Sequence, residues 1–292
     1  MTKLARGVCF SLLLAPFIAE MAIAAVETAP SELPGAEAFV YRELAPEPLR
    51  LFVVKPKDWK AADRRPALLF FFGGGWTTGT PKNSIGWARF AASHGMVGIA
   101  PDYRTKGRHD TSPLSSVADS RAALAWVQAH AAELGLDPAR IVVGGNSAGG
   151  HLALWTAIAK APPGSSAQES PAHKPAALIL FSTVSDTSGQ TGYTPQRFGE
   201  HTTALSPIHQ LDETMPPVLA FHGDADKLVP LAQAVTLRDK LIAAGNTCEL
   251  IIVPGGSHNF SRDMPEWQEK SREQVVQFLE QHRLIISAAG RP

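Results

Sequence analysis

The alternation of apolar and polar residues divides the chain into short hydrophobic runs separated by stretches of helical spacing. Residues 37–44 and 48–54 read as two strands joined by a turn. Residues 66–72, P-A-L-L-F-F-F, form an unbroken apolar run of the kind expected for a strand buried on both faces. Further short apolar runs fall at 95–100, 140–143, 176–181, 217–221 and 248–253. Between the runs, residues 117–132, 231–244 and 267–286 carry apolar side chains at helical spacing, and Gly135 and Pro138 supply stop signals after the first. Strands alternating with helices predict an α/β fold with a mostly parallel sheet flanked by helices on both faces. Residues 185–216 break the rhythm with few apolar runs and many turn formers. They are too long for an ordinary connection and are expected to form a small cap or substrate-side loop insertion.

Composition narrows the choice of partners. The 292 residues are 45% hydrophobic and 18% charged, enough for one sizeable core, and no internal boundary interrupts residues 37–286, which read as a single domain. The formal net charge is zero and like charges do not cluster, which excludes a nucleic-acid partner. Residues 1–25 have the form of a signal peptide: Lys3 and Arg6 at the start, an apolar stretch over 7–19, and an A-x-A site at Ala22-Ile23-Ala24. That apolar stretch is too short to span a bilayer, so export to a periplasm or the exterior is expected, without stable membrane insertion. Residues 26–36, rich in Pro, Ala and Glu, are expected to be a mobile lead-in. Removal of the signal would take Cys9 with it and leave Cys248 alone, so no intramolecular disulfide is expected.

Three stretches carry chemistry. G-N-S-A-G at 145–149 follows an apolar run and precedes a helical pattern, the context in which a G-x-S-x-G serine is presented at a sharp strand-to-helix turn. Small flanking residues are needed there because neighbouring Cβ atoms would collide. The helix start adds unpaired N–H groups facing any developing negative charge. A serine nucleophile at Ser147 requires a base, and the base requires an orienting acid. His258 follows the run 248–253 in a glycine turn, and Asp224 and Asp226 follow the run 217–221. All stand after predicted strands, at the edge where parallel sheets bind ligands. His222, one strand earlier, is read as serving the structure of its own loop. In F-G-G-G-W at 72–76, the glycines leave the backbone open to close approach by a ligand.

Together, F-G-G-G-W, D-Y-R at 102–104, G-N-S-A-G, H-G-D-A-D-K-L-V-P at 222–230 and G-S-H at 256–258 resemble the α/β-hydrolase carboxylesterases. The resemblance covers about residues 37–285 and is nearest to the hormone-sensitive-lipase-like and bacterial acetylxylan/feruloyl esterase groups. It implies Ser147, Asp226 and His258 as the catalytic set, with Asp226 rather than Asp224 at the position of the acid. It also implies that the amides of Gly74, Gly75 and Ala148 form an oxyanion hole. One letter departs from the pattern. Those enzymes carry histidine before the glycines, whereas this chain has Phe72, so the loop is expected to be held by packing of Phe72 and Trp76.

The reaction so implied is ester hydrolysis through an acyl-serine, with no metal or organic cofactor. Small acyl groups are the expected substrates, acetyl or hydroxycinnamoyl esters on oligosaccharides or plant polysaccharides among them. Trp76 and Tyr193 are candidate stacking surfaces for the substrate, and Arg108 and His109 candidate contacts for a carboxylate or sugar hydroxyl. An amidase or peptidase of the same fold is the rival within this chemistry. A non-catalytic binding protein on the same scaffold is the rival from another class.

Overall fold

The computed structural model describes residues 28–45, 47–165 and 170–285. The segment read as a signal peptide lies outside them, as does the domain end expected at 286. Eight strands form one sheet in the order β1-β2-β4-β3-β5-β6-β7-β8. They are β1 (Glu37–Arg42), β2 (Leu49–Val54), β3 (Arg65–Phe71), β4 (Val97–Pro101), β5 (Leu136–Asn146), β6 (Ala177–Phe181), β7 (Val218–Gly223) and β8 (Cys248–Val253). β1 and β2 pair antiparallel, β2 runs antiparallel to β4, and all other pairings are parallel.

The continuous apolar run of β3 serves two layers at once. Ala67, Leu69 and Phe71 belong to one core cluster, and Leu68 and Phe70 to the other. The period of two along a strand produces this division. The first cluster is closed by α3 (Pro113–Ala129), α4 (Ala148–Ala157) and α5 (Leu231–Ala243), through Leu124, Leu152 and Leu237. The second takes Ala91 of α1 (Ile85–Ser93) and Val275 and Phe278 of α7 (Pro265–Gln281). α3 and α7 each begin on a proline, which needs no N–H partner at that position. α5 ends where Gly245 takes φ 82° and Asn246 N–H reaches back to Leu241 O at 2.9 Å. Two short helices, α2 (Lys106–His109) and α6 (Phe260–Asp263), follow β4 and β8.

The strand order fixes where a ligand fits. From β3 the chain crosses through α1 to β4 on one side; from β4 it crosses through α3 to β5 on the other side of β3. The carboxyl ends of β3 and β5 therefore lie side by side while the connections that follow them diverge. This is the switch point at which open parallel sheets form a crevice. The three glycines after β3 and Ser147 after β5 both sit there.

One expectation changes. Part of the lead-in read as mobile is anchored: Leu33 is buried with Phe52, Val54 and Ile85, and Pro34 O accepts from Arg89 Nη2 at 3.0 Å. A lone leucine among prolines thus covers an apolar patch at the sheet edge. The irregular stretch 185–216 holds two 3-10 turns, Pro195–His201 and Pro207–His209, that bury Phe198 and Ile208. Among the described residues, no helix is long and apolar enough to cross a membrane.

Candidate active site

The turn between β5 and α4 presents Ser147 with φ 54° and ψ −119°. Such a conformation costs a non-glycine residue about 1–3 kcal/mol. Its neighbours hold it there: Ser147 N–H donates to Phe181 O at 2.8 Å, and Ser147 O accepts from the His151 amide at 3.2 Å. The flanking glycines are required for space. A Cβ on Gly145 would lie 2.3 Å from the Gly149 backbone, and a Cβ on Gly149 would lie 2.3 Å from Phe71 O. α4 thus starts in contact with the ends of both β5 and β3.

His258 arrives from the loop after β8. Its Nε2 is 2.9 Å from Ser147 Oγ, and its Nδ1 is 2.8 Å from Asp226 Oδ2. Asp226 Oδ1 accepts the amides of Leu228 and Val229, both at 2.9 Å. His222, 3.3 Å from Asp226 Oδ2, also contacts Val229 O at 2.8 Å, so it braces the acid loop. Burial alone would push the Asp226 carboxyl up. The hydrogen bonds from His222, His258 and the Val229 amide outweigh it and hold the group well below the usual carboxylate range. An ionised Asp226 accepts Nδ1–H of His258, which leaves Nε2 bare to accept the Ser147 hydroxyl. Asp224, the other carboxylate of this loop, instead accepts the Gly255 amide at 2.7 Å.

The glycine loop lies across the same crevice. Gly74 and Gly75 take φ 130° and 59°, and a Cβ on Gly74 would lie 2.1 Å from Thr78 O. Gly74 O accepts the amides of Thr77 and Thr78 at 3.0 and 3.1 Å. Because N–H and C=O of a trans peptide point in opposite directions, Gly75 N–H is aimed away from that turn. Gly75 O in turn accepts from Arg197 Nη1 at 2.8 Å, which ties the 185–216 segment to the loop. No backbone bond among the described residues takes up the amides of Gly74, Gly75 or Ala148. Ala148 is the first residue of α4, where helical amides lack internal partners.

The structure shows what stands in for the usual histidine. The Phe72 ring stacks on Tyr103 at 4.1 Å and 15°, and Tyr103 Oη donates to Phe72 O at 2.9 Å. The loop is therefore held by packing, as expected, and also by a hydrogen bond to its backbone from another strand end. Burial keeps the Tyr103 hydroxyl protonated by pushing its pKa far up. The rest of the D-Y-R motif is structural too. Asp102 pairs with Arg108, and Arg104 forks onto Asp119 with both contacts at 2.8 Å.

The four side chains expected to touch substrate do not line the cleft beside His258. Arg108 and His109 are corrected outright. Arg108 is drawn inward by Asp102 (Nη1 to Oδ2, 2.9 Å) and by Tyr103 O. His109 Nδ1 accepts the Thr105 amide at 3.1 Å. Both side chains are buried, and Arg108 is held there because Asp102 is itself buried and needs a counter-charge. Trp76 is a core residue, edge-on to His151 at 5.1 Å and to Phe198 at 4.9 Å. Tyr193 is half-buried, 6.4 Å from Trp76.

The cleft itself encloses about 490 Å³ between the glycine loop and α7. Gly73, Gly74, Asn146 and His258 form its floor, Trp87 and Phe181 an apolar wall, and Asn259, Gln268, Arg262 and Arg272 a polar rim. Sequence reasoning missed this rim. α7 reads as an ordinary solvated amphipathic helix, and nothing in its spacing says that one polar flank lines the same cleft as His258. No group of three or more His, Cys, Asp or Glu side chains among the described residues is arranged to hold a metal.

Comparison with known proteins agrees with this geometry. The sequence profile of the BD-FAE family matches residues 53–191 and 181–241. The probable carboxylic ester hydrolase LipM of Mycobacterium tuberculosis is 32% identical over 197 residues, covering 60% of this chain and 44% of LipM. The esterase LipC of the same organism is 26% identical over 216 residues, so the chain spans about half the length of these two relatives, 44% and 53%. The ethyl acetate hydrolase of Pseudomonas putida is 28% identical over 80% of this chain and 78% of its own. Among solved structures, the native thermophilic esterase Est2 of Thermogutta terrifontis superposes with a TM-score of 0.82 at 38% identity, over 90% of this chain and 97% of that one. That esterase has also been solved with butyrate bound and phosphorylated by paraoxon. Taking the eight-stranded sheet, the serine turn and these matches together, the chain belongs to the BD-FAE family of α/β-hydrolase carboxylesterases.

Proposed function

We propose that the protein is a serine carboxylesterase acting on short-chain acyl esters. The observation that carries this reading is the unbroken relay from Asp226 Oδ2 through His258 to Ser147 Oγ, with contacts of 2.8 and 2.9 Å, beside a cleft that His258 and Gly74, whose amide is unclaimed, both line. Ser147 attacks the ester carbonyl while His258 Nε2 takes its proton. The amides of Gly74, Gly75 and Ala148 receive the developing oxyanion, an interaction worth about 2.7–4 kcal/mol per donor. His258 then returns the proton to the departing alcohol, and water enters by the same steps in reverse to release the acid.

The packing beside the serine turn, where Trp76, His151 and Phe198 interlock and are all buried, supports short acyl groups. The butyrate held by the Thermogutta esterase and the family's name, bifunctional feruloyl/acetylxylan esterase, support the same range. Acetyl and hydroxycinnamoyl esters of oligosaccharides are the substrates to try first, and export, resting on the pattern of residues 1–25, is part of the proposal. The test is hydrolysis of p-nitrophenyl esters from acetyl to octanoyl by the wild type and by Ser147→Ala. Ser147-dependent turnover that falls with chain length is the expected result. Turnover of amides without esters would move the assignment to an amidase, and no turnover by folded protein would leave a binding role.

A further inference from the structure

The rim of the cleft beside His258 carries two cations and, among the described residues, no anion. Which half of an ester it receives follows from the direction of proton transfer. His258 Nε2, 2.9 Å from Ser147 Oγ, must hand its proton to the leaving oxygen. The alcohol therefore departs on the His258 side, and the cavity that touches His258 and continues over α6 and α7 is the space it occupies. This step rests on the esterase reading above.

The two arginines are differently placed but equally available. Arg262 uses Nε on Asp263 Oδ1 at 2.9 Å, which leaves both terminal nitrogens without a described acceptor. Arg272 makes no described ion pair; its guanidinium lies 5.7 Å from the Phe90 ring, and the residue stands between this cleft and a neighbouring groove that Glu269 and Glu273 also line. Trp87 and Phe181 line the same cleft, their rings 5.0 Å apart and tilted by 42°. Guanidiniums at the rim of a cleft attract anions, and the planar fork of arginine suits a carboxylate. The carboxylate-binding role read from sequence for Arg108 passes to these residues, because Arg108 is consumed inside the fold.

We infer that the alcohol portion of the preferred substrate bears a carboxylate, which Arg262 and Arg272 receive while its ring lies against Trp87. A hydroxyaryl acid and a uronic acid share this chemistry, and two matched pairs separate them: para-acetoxybenzoate against para-acetoxybenzamide, and O-acetyl glucuronic acid against O-acetyl glucose. The quantity to measure is the ratio of kcat/KM, charged over neutral, within each pair. Arg262→Gln and Arg272→Gln are each expected to lower the ratio about two- to fivefold, the range for exposed ion pairs. In the wild type the ratio should fall as salt rises to about 1 M, where the screening length is about 3 Å. Lys270→Gln, a cation of the same helix outside the cleft, should leave the ratio unchanged. The pair with the larger response identifies the aryl or the sugar acid. Ratios that respond to neither arginine, or that respond equally to Lys270→Gln, overturn the inference while leaving the esterase assignment intact. Absence of Ser147-dependent turnover on both neutral esters overturns the assignment and the inference with it.

Discussion

Replacing Tyr103 by phenylalanine isolates the bond that stands in for the missing histidine. Tyr103 is fully buried, stacks on Phe72 at 4.1 Å, and donates to Phe72 O at 2.9 Å. Phenylalanine keeps the ring and the stack and removes only the hydroxyl. A buried carbonyl left without its donor costs about 1–3 kcal/mol. At roughly 2–4 °C per kcal/mol for a chain of this size, the melting temperature should fall by about 2–12 °C. The catalytic effect has a ceiling, because complete loss of one oxyanion donor costs about 10²–10³ in kcat. The Phe72–Gly73 peptide lies directly upstream of the donors, so its loosening misaligns them without deleting them. A fall in kcat of about tenfold, or about 1.4 kcal/mol, is expected. KM for p-nitrophenyl acetate should stay within about twofold, since the oxyanion forms only in the transition state. Steady-state kinetics with a thermal melt on the same sample decide the matter. A variant that melts earlier yet keeps kcat within twofold of the wild type would refute the argument that this bond positions the loop.

Four further outcomes follow from the geometry. Asp226→Asn removes the anion that selects the His258 tautomer and should lower kcat by about 10⁴-fold in the p-nitrophenyl acetate assay; it should also lower the melting temperature, because His222, His258 and the Leu228 and Val229 amides stabilise the ionised carboxylate in the fold. Arg108→Gln leaves Asp102 buried without its partner and should lose about 3–5 kcal/mol in a denaturant titration, while KM stays unchanged because the side chain does not face substrate. Burial pulls the His151 pKa down to about 4. Between that value and about 6.5 the unfolded chain binds a proton that the folded chain refuses, so stability should be lost as pH falls through this window, by up to about 3 kcal/mol. Melts of the wild type and His151→Asn from pH 7.5 down to pH 5 should show a steeper decline in the wild type. Gly149→Ala sets a methyl 2.3 Å from Phe71 O and should yield no soluble protein at 37 °C, checked by expression beside Gly86→Ala, where a Cβ meets nothing within 4 Å.

The legible part of the molecule is the part built from local chemistry. The run at 66–72 announced a doubly buried strand because both faces of β3 are covered, and residues 145–149 announced their turn because Gly145 and Gly149 have no room for a side chain. The order Ser147, acid, His258 was readable for the same reason: each follows a strand whose carboxyl end faces one crevice. The resemblance chose Asp226 over Asp224, and in the loop the two carboxylates, two residues apart, face different partners, His258 and the Gly255 amide. Arg108 and His109 were misread because position after a strand suggests a pocket, whereas the direction of a long side chain is set by the charge that attracts it, here Asp102 and Glu47. The letters D-Y-R were visible, but the role of Tyr103 was not. It acts on a backbone atom 31 residues away, and no local pattern encodes such a contact.

The backbone of Ser147 has an evolutionary consequence. At φ 54° and ψ −119° the residue occupies a region where glycine would rest without penalty. Selection for stability alone would therefore erode the nucleophile, since a glycine at 147 relieves the strain and the flanking hydrogen bonds use only backbone atoms. On the esterase reading proposed above, the serine persists only while turnover matters to the cell. A descendant that has lost its chemistry should drift first at this position and gain melting temperature as it does so. Glycine at the tip of an otherwise intact turn would then be the sequence mark of a retired enzyme.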